Sequence, residues 1–456
     1  MGDNESTDVL IAGGGPAGLA TGISLAQRGR KVVLLERSGY DATRVGEHLA
    51  PEAIPLLARL GADGILTDPR HLRCSCVTSA WGSPEWNSND YLRGPYDDGF
   101  NLSRPAFDES LAVVAERAGV RVLRRSALIS QQLEETCWNI RYARDSQPES
   151  IRVNFVVDAS GRSSSLGKSL GGRRIIVDRL IGIAAFCEVP RPNPDQSVFI
   201  EAQRDGWWYT TTLADHRVIA IFMTDSDLFQ SAGEPPDKFW TRMLNGTRLM
   251  ESGLRASHIV DCVVRSAHSG RLDPACGPGW LAVGDTALSF DPLSSMGISK
   301  GLDQGIRAAA AIHAYLAGDT GQLDQYQHHI RSAFDEYLTI RARYYRAERR
   351  WPNAELWRRR HQQLPSEVEL TLDPAQIVCA VPGAPVRDRR RSFGEVTPAI
   401  DDALMVELAR DPLPAHQLAA RFKAACAQRH SDREIILAIQ MLVDAGVLRV
   451  NESTRP

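Results

Sequence analysis

Lysine is scarce in this chain. Five lysines (Lys31, Lys168, Lys238, Lys300, Lys423) stand against 48 arginines in 456 residues. A GC-rich genome accounts for the bias as composition, but any mechanism that needs a lysine ammonium has only five places to find one. Long apolar runs are missing too: no stretch of 18 apolar residues reads as a membrane-spanning helix. The eight cysteines are scattered, and only Cys74 and Cys76 fall close together, as C-x-C. That spacing builds neither a zinc site nor a disulfide framework, so no metal is expected and reduced thiols suit a cytoplasmic setting. No secretory signal is read at the start, where Met1 to Asp8 is acidic and the next apolar run turns into glycines. Met1-Gly2 with Ser6 matches a myristoylation pattern, which Asp3 and Glu5 weaken; it reads as chance. A net charge of −3 and a pI near 6.4 supply no global pull toward nucleic acid or anionic membrane.

What is present is a chain long enough for about three domains, opening on a nucleotide-binding pattern. Asp8 to Ala12 reads as a short buried parallel strand. Gly13-Gly-Gly15-Pro16-Ala17-Gly18 follows, then a small-residue helix over Leu19 to Arg28, then a second buried strand, Lys31 to Glu36. This is the β-α-β dinucleotide fingerprint. Gly13 makes the tight turn, Gly15 lets a pyrophosphate approach, and Gly18 lets helix pack on strand. Pro16 and Ala17 open the helix, whose free N–H groups and dipole face the phosphates. Glu36, with Arg37 beside it, sits 18 residues after Gly18, the distance for a ribose hydroxyl pair. An acid there favours FAD or NAD over NADP.

Two further motifs choose between these. Val153 to Val157 is an apolar strand followed by Asp158-Ala-Ser-Gly161-Arg-Ser-Ser. Trp280 to Val283 leads into Gly284-Asp285-Thr-Ala, then Phe290-Asp-Pro292-Leu-Ser-Ser-Met-Gly297-Ile298 and an Ala-rich helix over Ser299 to Leu316. The trio GxGxxG, D-x-x-G-x-x-S and strand-Gly-Asp resembles the FAD-dependent monooxygenases of the para-hydroxybenzoate hydroxylase fold, across about residues 8–335. The resemblance implies that Asp285 binds the FAD ribityl chain, with Asp158 and Gly161 near the pyrophosphate. Arg104, in Asn101-Leu-Ser-Arg-Pro-Ala-Phe-Asp108, would contact FAD from the helix it opens. The helix starting near Ile298 would aim its N-terminus at the pyrimidine edge of a reduced flavin; Ser294 or Ser295 is also a plausible cap for it.

Two segments narrow the branch. Arg44-Val-Gly46-Glu47-His48-Leu-Ala-Pro51 and Gly206-Trp207-Trp208-Tyr209-Thr-Thr-Thr-Leu213 resemble the tryptophan-halogenase-like branch. In the second segment, Tyr209 replaces a Trp, and Thr211-Thr212 replace Ile-Pro. Halogenases of that branch need a lysine soon after the Gly-Glu motif, and none occurs between Lys31 and Lys168. Arginine is no easy substitute, being permanently protonated and delocalised. What remains resembles the maturation flavoproteins of quinone-cofactor amine oxidases and dehydrogenases, whose substrate is a Trp side chain in a peptide or protein. The resemblance implies that reduced FAD and O2 give a C4a-hydroperoxide with an electrophilic oxygen, which indole attacks without much base catalysis. The protein must exclude water and orient the ring. Trp81, Trp86, Trp207, Trp208 and Tyr209 are the expected aromatic lining, against the competing reading of ordinary strand packing. Glu47 and His48 are the polar residues expected to take the proton lost on rearomatisation, a role a His near neutrality can fill. Their competing reading is a structural pair.

The expected fold is α/β. A Rossmann-like FAD-binding domain (1–78, 100–180 and 265–335) is interleaved with an antiparallel substrate sheet (79–99 and 181–264), with strands at Ile181–Val189, Ser197–Ala202, Trp207–Leu213 and Arg217–Thr224. A helical and connector region (336–399) and a winged-helix-like C-terminal domain (400–456) follow. Residues 341–360 hold eight arginines among Tyr344, Tyr345, Trp351 and Trp357, which suits a nucleic-acid surface, a dock for an acidic protein partner, or, as favoured here, a helix with buried aromatics and arginines solvated or paired to Glu348 and Glu355. Pro365, Pro374, Pro382, Pro385 and Pro398 mark a connector. Helices are expected at about 401–410, 415–429 and 432–445, then a stop at Gly446 and a strand to Val450. Arg433 against Asp432, Glu434 and Asp444 disfavours DNA binding and leaves a peptide dock. The expected activity is therefore FAD-dependent hydroxylation of a tryptophan side chain in quinone-cofactor formation. Halogenation of an aromatic, a reductase or desaturase acting on a lipid-like substrate, and a non-catalytic flavin-binding chaperone stand as alternatives. Beyond FAD and O2, the electron source is NADPH or a partner flavin reductase. No nucleic acid and no membrane partner is expected.

Overall fold

In the computed structural model, the described residues are 7–91, 98–135, 137–189, 196–214, 217–248, 254, 257–362, 376–381, 402–425, 435–436, 439, 442–443 and 448–450. The chain divides into two compact units, Met1–Phe334 with Ala354–Leu356, and Asp335–Asn353 with Trp357–Pro456.

The first unit is built on strand Thr7–Ala12, whose Val9, Leu10 and Ile11 are fully buried. Continuous apolar sequence is what a parallel strand covered on both faces requires. It lies parallel between Val32–Leu35 and Gln147–Asp158, in register Val9↔Val32 and Val9↔Phe155, with Arg121–Leu123 and Trp280–Ala282 extending the sheet. Helix Pro16–Ala26 follows the first strand directly. It packs on helix Gly297–Tyr315 closely enough that a Cβ at Gly305 would meet the Ala17 carbonyl at 2.6 Å. Strands Ser126–Glu134 and Cys137–Arg144 add an antiparallel meander, and the hairpin from Cys137–Arg144 into Gln147–Asp158 turns through Asp145 and Ser146, both at positive φ as a two-residue turn demands.

The second sheet of this unit has seven strands. In order they are His258–Ser266, Leu180–Glu188, Arg217–Asp225, Gly206–Thr212, Val198–Gln203, Cys76–Ala80 and Asn87–Asp90. The four strands expected from alternation are present within two residues. The sheet is antiparallel except for one parallel pair, Val198–Gln203 with Cys76–Ala80. Gly99–Asn101 instead pairs with His48–Leu49 and Leu72–Cys74 in a small separate sheet. One face of the large sheet buries Ile183, Ala185, Trp208, Ala220 and Phe222 against Phe239 and Trp240 of helix Pro236–Leu244. No helix among the described residues is long and apolar enough to cross a membrane.

In the second unit the arginine-rich stretch is largely inward. Tyr345 and Trp357 are fully buried, Arg341 and Arg360 stack over the Tyr345 ring, and Glu348 takes a two-pronged ion pair from Arg350. The C-terminal module begins earlier than the proline pattern suggests. Strand Ile377–Ala380, placed in the connector by its flanking prolines, is the central strand of a three-stranded sheet with Leu413–Pro414 and Leu448–Val450. Helices Asp402–Leu408 and Ala415–Ala425 pack a core of Met405, Leu418 and Phe422 on it. Ile435, Ile436, Ile439 and Leu442 join that core at helical spacing. The connector prolines, Gly446, the charged residues at 432, 433, 434 and 444, and the first six residues lie outside the described set.

Candidate active site

One cavity in the first unit collects residues from both sheets. Its floor is the glycine loop. Gly13 sits at φ +124, and a Cβ there would lie 2.3 Å from the Ala159 carbonyl oxygen, so only glycine is accommodated. A Cβ at Gly15 would meet nothing within 4 Å: it would project into the open site. Helix Pro16–Ala26 has no side-chain cap at Gly15, which leaves its first N–H groups for a ligand. Gly15, Pro16, Ala17 and Gly18 all line the cavity.

Glu36, Arg37 and Gly13 do not line it. The Glu36 carboxylate is 5% exposed: Oε1 accepts from the Ser38 N–H, the Ser38 hydroxyl and Arg44, and Oε2 accepts the Gly14 N–H at 3.0 Å. A carboxylate offers about four acceptor positions, and these four donors match that number. The Tyr40 hydroxyl donates to the Gly14 carbonyl at 3.0 Å, holding that peptide from its other side.

A chain of ion pairs runs from this carboxylate toward the cavity. Arg44 joins Glu36 at 3.0 Å and Asp108 at 2.9 Å, and Arg104 joins Asp108 at 3.1 Å, one helical turn apart. Arg104 also donates to the carbonyls of Val45 and Gly46 and lines the cavity. Arg44, Asp108 and Tyr40 were missed in the sequence, although Asp108 stands at i+4 from Arg104, a spacing that pairs charges on a helix.

Asp158 is fully buried and does not line the cavity. It accepts the N–H groups of Ser160 and Gly167 at 2.9 and 2.7 Å and so shapes the turn that carries Gly161. Gly161, Gly284 and Asp285 do line the cavity, and Asp285 pairs with Arg162 at 2.9 Å. Pro292, Gly297 and Ile298 form the far wall. Helix Gly297–Tyr315 has Met296 at its N-cap and no side-chain cap. Neither serine is its cap: the cap position is Met296, and the Ser294 hydroxyl donates to the Asp291 carbonyl and accepts the Met296 N–H, ahead of the helix.

At the other end, Glu47 and His48 approach the large sheet. Period-two alternation decides which of its residues can face them. Tyr209, opposite Ile221, lines the cavity with Met223, Ala184 and Gly182. Trp208, opposite Phe222, points the other way. Its ring packs on Phe222 and Trp240 at 5.0 and 5.3 Å and its N–H donates to Gln203, so the structure corrects its expected lining role to one of core packing. Trp207 and Trp81 meet edge-to-face at 6.1 Å, buried and outside the lining; Trp86 packs on Phe199.

Five buried polar atoms of lining residues have no hydrogen-bond partner among the described residues: Glu47 Oε1, His48 Nδ1 and the Tyr209 hydroxyl at this end, and Nε of Arg104 and of Arg162. Burial pushes the Glu47 carboxyl up from 4.5 to about 7, against the Gly46 N–H that its Oε2 accepts at 3.0 Å and the nearby Arg104. Burial pushes His48 down to about 4, so it is neutral at pH 7, unlike the expectation of a His near neutrality. Its Nε2 meets the Tyr91 hydroxyl at 2.8 Å, a partner the sequence did not suggest.

Uncapped helix N-termini at two walls and glycines that leave the floor open fit an extended dinucleotide. Residues 6–342 match the family described as FAD binding domain. The chain belongs to that FAD-binding family. It is an FAD-dependent oxidoreductase of the halogenase-like branch. LodB of Marinomonas mediterranea, which carries an FAD-dependent oxidoreductase name, is 31% identical over 78% of this chain and 97% of its own length. A tryptophan 2-halogenase of Chondromyces crocatus is 24% identical over 76% of this chain and 69% of its own. The solved structure of QhpG, a peptidyl tryptophan dihydroxylase essential for tryptophylquinone cofactor biogenesis, is 20% identical. It covers 97% of this chain and 99% of its own with a TM-score of 0.66, a likeness of fold.

Proposed function

We propose that this flavoprotein hydroxylates a tryptophan side chain presented in a peptide or protein, in the making of a tryptophylquinone-type cofactor. The observation that carries the reading is the reaction end of the cavity. It joins an apolar sheet face to a buried carboxyl raised to about 7, and no lysine among the described residues lines it. The glycine loop, Arg104, Gly161, Gly284, Asp285 and the Pro292–Ile298 wall would hold FAD, which with O2 supplies an electrophilic oxygen. Gly182, Ala184, Ile221 and Met223 keep water from the site and give the indole an apolar bed. As oxygen adds to a ring carbon, the hydrogen on that carbon leaves as a proton when the ring regains aromaticity. Glu47, ionised above about pH 7, takes it on Oε1. Tyr209 and neutral His48 offer hydrogen bonds that orient the ring without adding charge.

The electrons come from NADPH or a partner flavin reductase. Mass spectrometry of a Trp-containing peptide, incubated with the protein, FAD, each donor in turn and O2, tests the reading. A gain of one or two oxygens on Trp is expected; no gain with either donor refutes it. The halogenase name of a relative supports a second reading, decided by bromide or chloride incorporation in the same assay. Partner binding without O2 consumption would instead mark a flavin-binding chaperone.

A further inference from the structure

The two edges of the seven-stranded sheet are built differently. Asn87–Asp90 is four residues long, polar and wholly exposed. Short polar edges of this kind discourage pairing with other chains. His258–Ser266 is nine residues long, β-branched at Ile259, Val260, Val263 and Val264, with neither lysine nor proline. It pairs antiparallel with Leu180–Glu188 along its length, and no described strand pairs with its outer side. Val260 is 49% exposed. Such an edge turns alternate main-chain N–H and C=O groups outward; the Val264 carbonyl is met by the Arg265 guanidinium of its own strand at 3.1 Å.

This edge leads into the cavity. Its last two residues, Arg265 and Ser266, line the cavity with Ala267. Arg265 stands opposite Gly182 and Val263 opposite Ala184, and both partners are lining residues, so Arg265 and Val263 share the cavity face. Gly182 has no side chain, and Ile221 and Met223 close over it, within 3.0 and 3.1 Å of where a Cβ would stand, so the apolar lining begins directly beside Arg265. A strand added about 4.8 Å outside this edge would turn every second side chain to that same face. An aromatic ring placed there would meet the Arg265 guanidinium. The other long edge, Ser126–Glu134, belongs to the FAD-binding sheet and contributes no residue to the cavity.

We infer that His258–Ser266 is the docking edge for the substrate. An extended peptide segment adds to it as an eighth strand, main chain to main chain, and delivers one aromatic side chain past Arg265 into the cavity. The inference rests on the proposed peptidyl substrate, and its test is a binding measurement, independent of turnover. A pool of blocked nonapeptides, X4-Trp-X4, is selected on the full-length FAD-loaded protein without reductant. The strongest binder is then remade with one backbone amide N-methylated at a time. Strand addition predicts that affinity falls at least ten-fold at every second position and little between. Loss at no position, equal loss at all, or a pool without binders overturns it. If peptides lacking the alternation are oxygenated on Trp, the docking edge falls and the hydroxylase reading stands. If the alternation is found without oxygenation by any donor, the edge stands and the hydroxylase reading falls.

Discussion

Replacing Glu47 by Gln tests the electrostatics and the proposed chemistry together. Gln keeps the shape and the Oε2-side acceptor for the Gly46 N–H but cannot ionise. In the folded protein the Glu47 carboxyl is 1% exposed and held at about 7, from 4.5 in the open chain. Below 4.5 both states are protonated and the residue contributes nothing to pH dependence. Between 4.5 and about 7 the unfolded chain releases its proton while the folded protein keeps it, so stability falls as pH rises. Above about 7 the penalty is complete. At about 1.4 kcal/mol per pH unit, that gap is worth about 3 kcal/mol. Glu47→Gln removes it, so the variant should match the native protein at pH 4 and exceed it by about 3 kcal/mol at pH 8. Urea unfolding at matched FAD concentrations reads the difference, since cofactor linkage is then common to both. Turnover should move oppositely. The native rate should rise with pH through about 7, and the variant should be flat and slower by about 10²–10⁴, the usual range for a lost general base. A stability difference that is the same at pH 4 and pH 8 would show that burial does not hold the carboxyl up, and the argument for its role would go with it.

Asp108→Asn should weaken FAD binding at least ten-fold in a fluorescence titration, because Arg44 and Arg104 both lose their shared carboxylate; unchanged affinity would detach this network from the cofactor. Gly15→Ala should fold normally, its Cβ meeting nothing, yet bind FAD poorly, whereas Gly13→Ala should lower the melting temperature of the FAD-free protein; equal effects in both assays would contradict the placement of the loop. Trp208→Ala should cost about 3–5 kcal/mol of stability and leave substrate KM alone. Tyr209→Phe should leave stability within about 1 kcal/mol and lower kcat, which a rate measurement on the oxygenated peptide would check.

Legibility in the sequence followed the range of the physics involved. The glycine loop was readable because its constraint is local: Gly13 needs positive φ and Gly15 must not fill the site, and both facts follow from residue type. Trp207, Trp208 and Tyr209 could not all line one cavity, since a strand shows alternate residues to each face. The period says that two of the three share a face, but the partner face is fixed by Phe239 and Trp240, some thirty residues away. Ile377–Ala380 was hidden by neighbouring prolines, which speak for their own positions and not for four apolar residues between them. The protonation of His48 was the least readable. Its motif indicated chemistry, but its pKa is set by burial in the folded chain, and its Nε2 partner is Tyr91, a residue 43 positions on. The same burial that lowers His48 raises its neighbour Glu47. The sequence offered the two as equals for proton transfer; desolvation moves an acid and a base in opposite directions, and at neutral pH it leaves Glu47 as the group able to both take and release a proton.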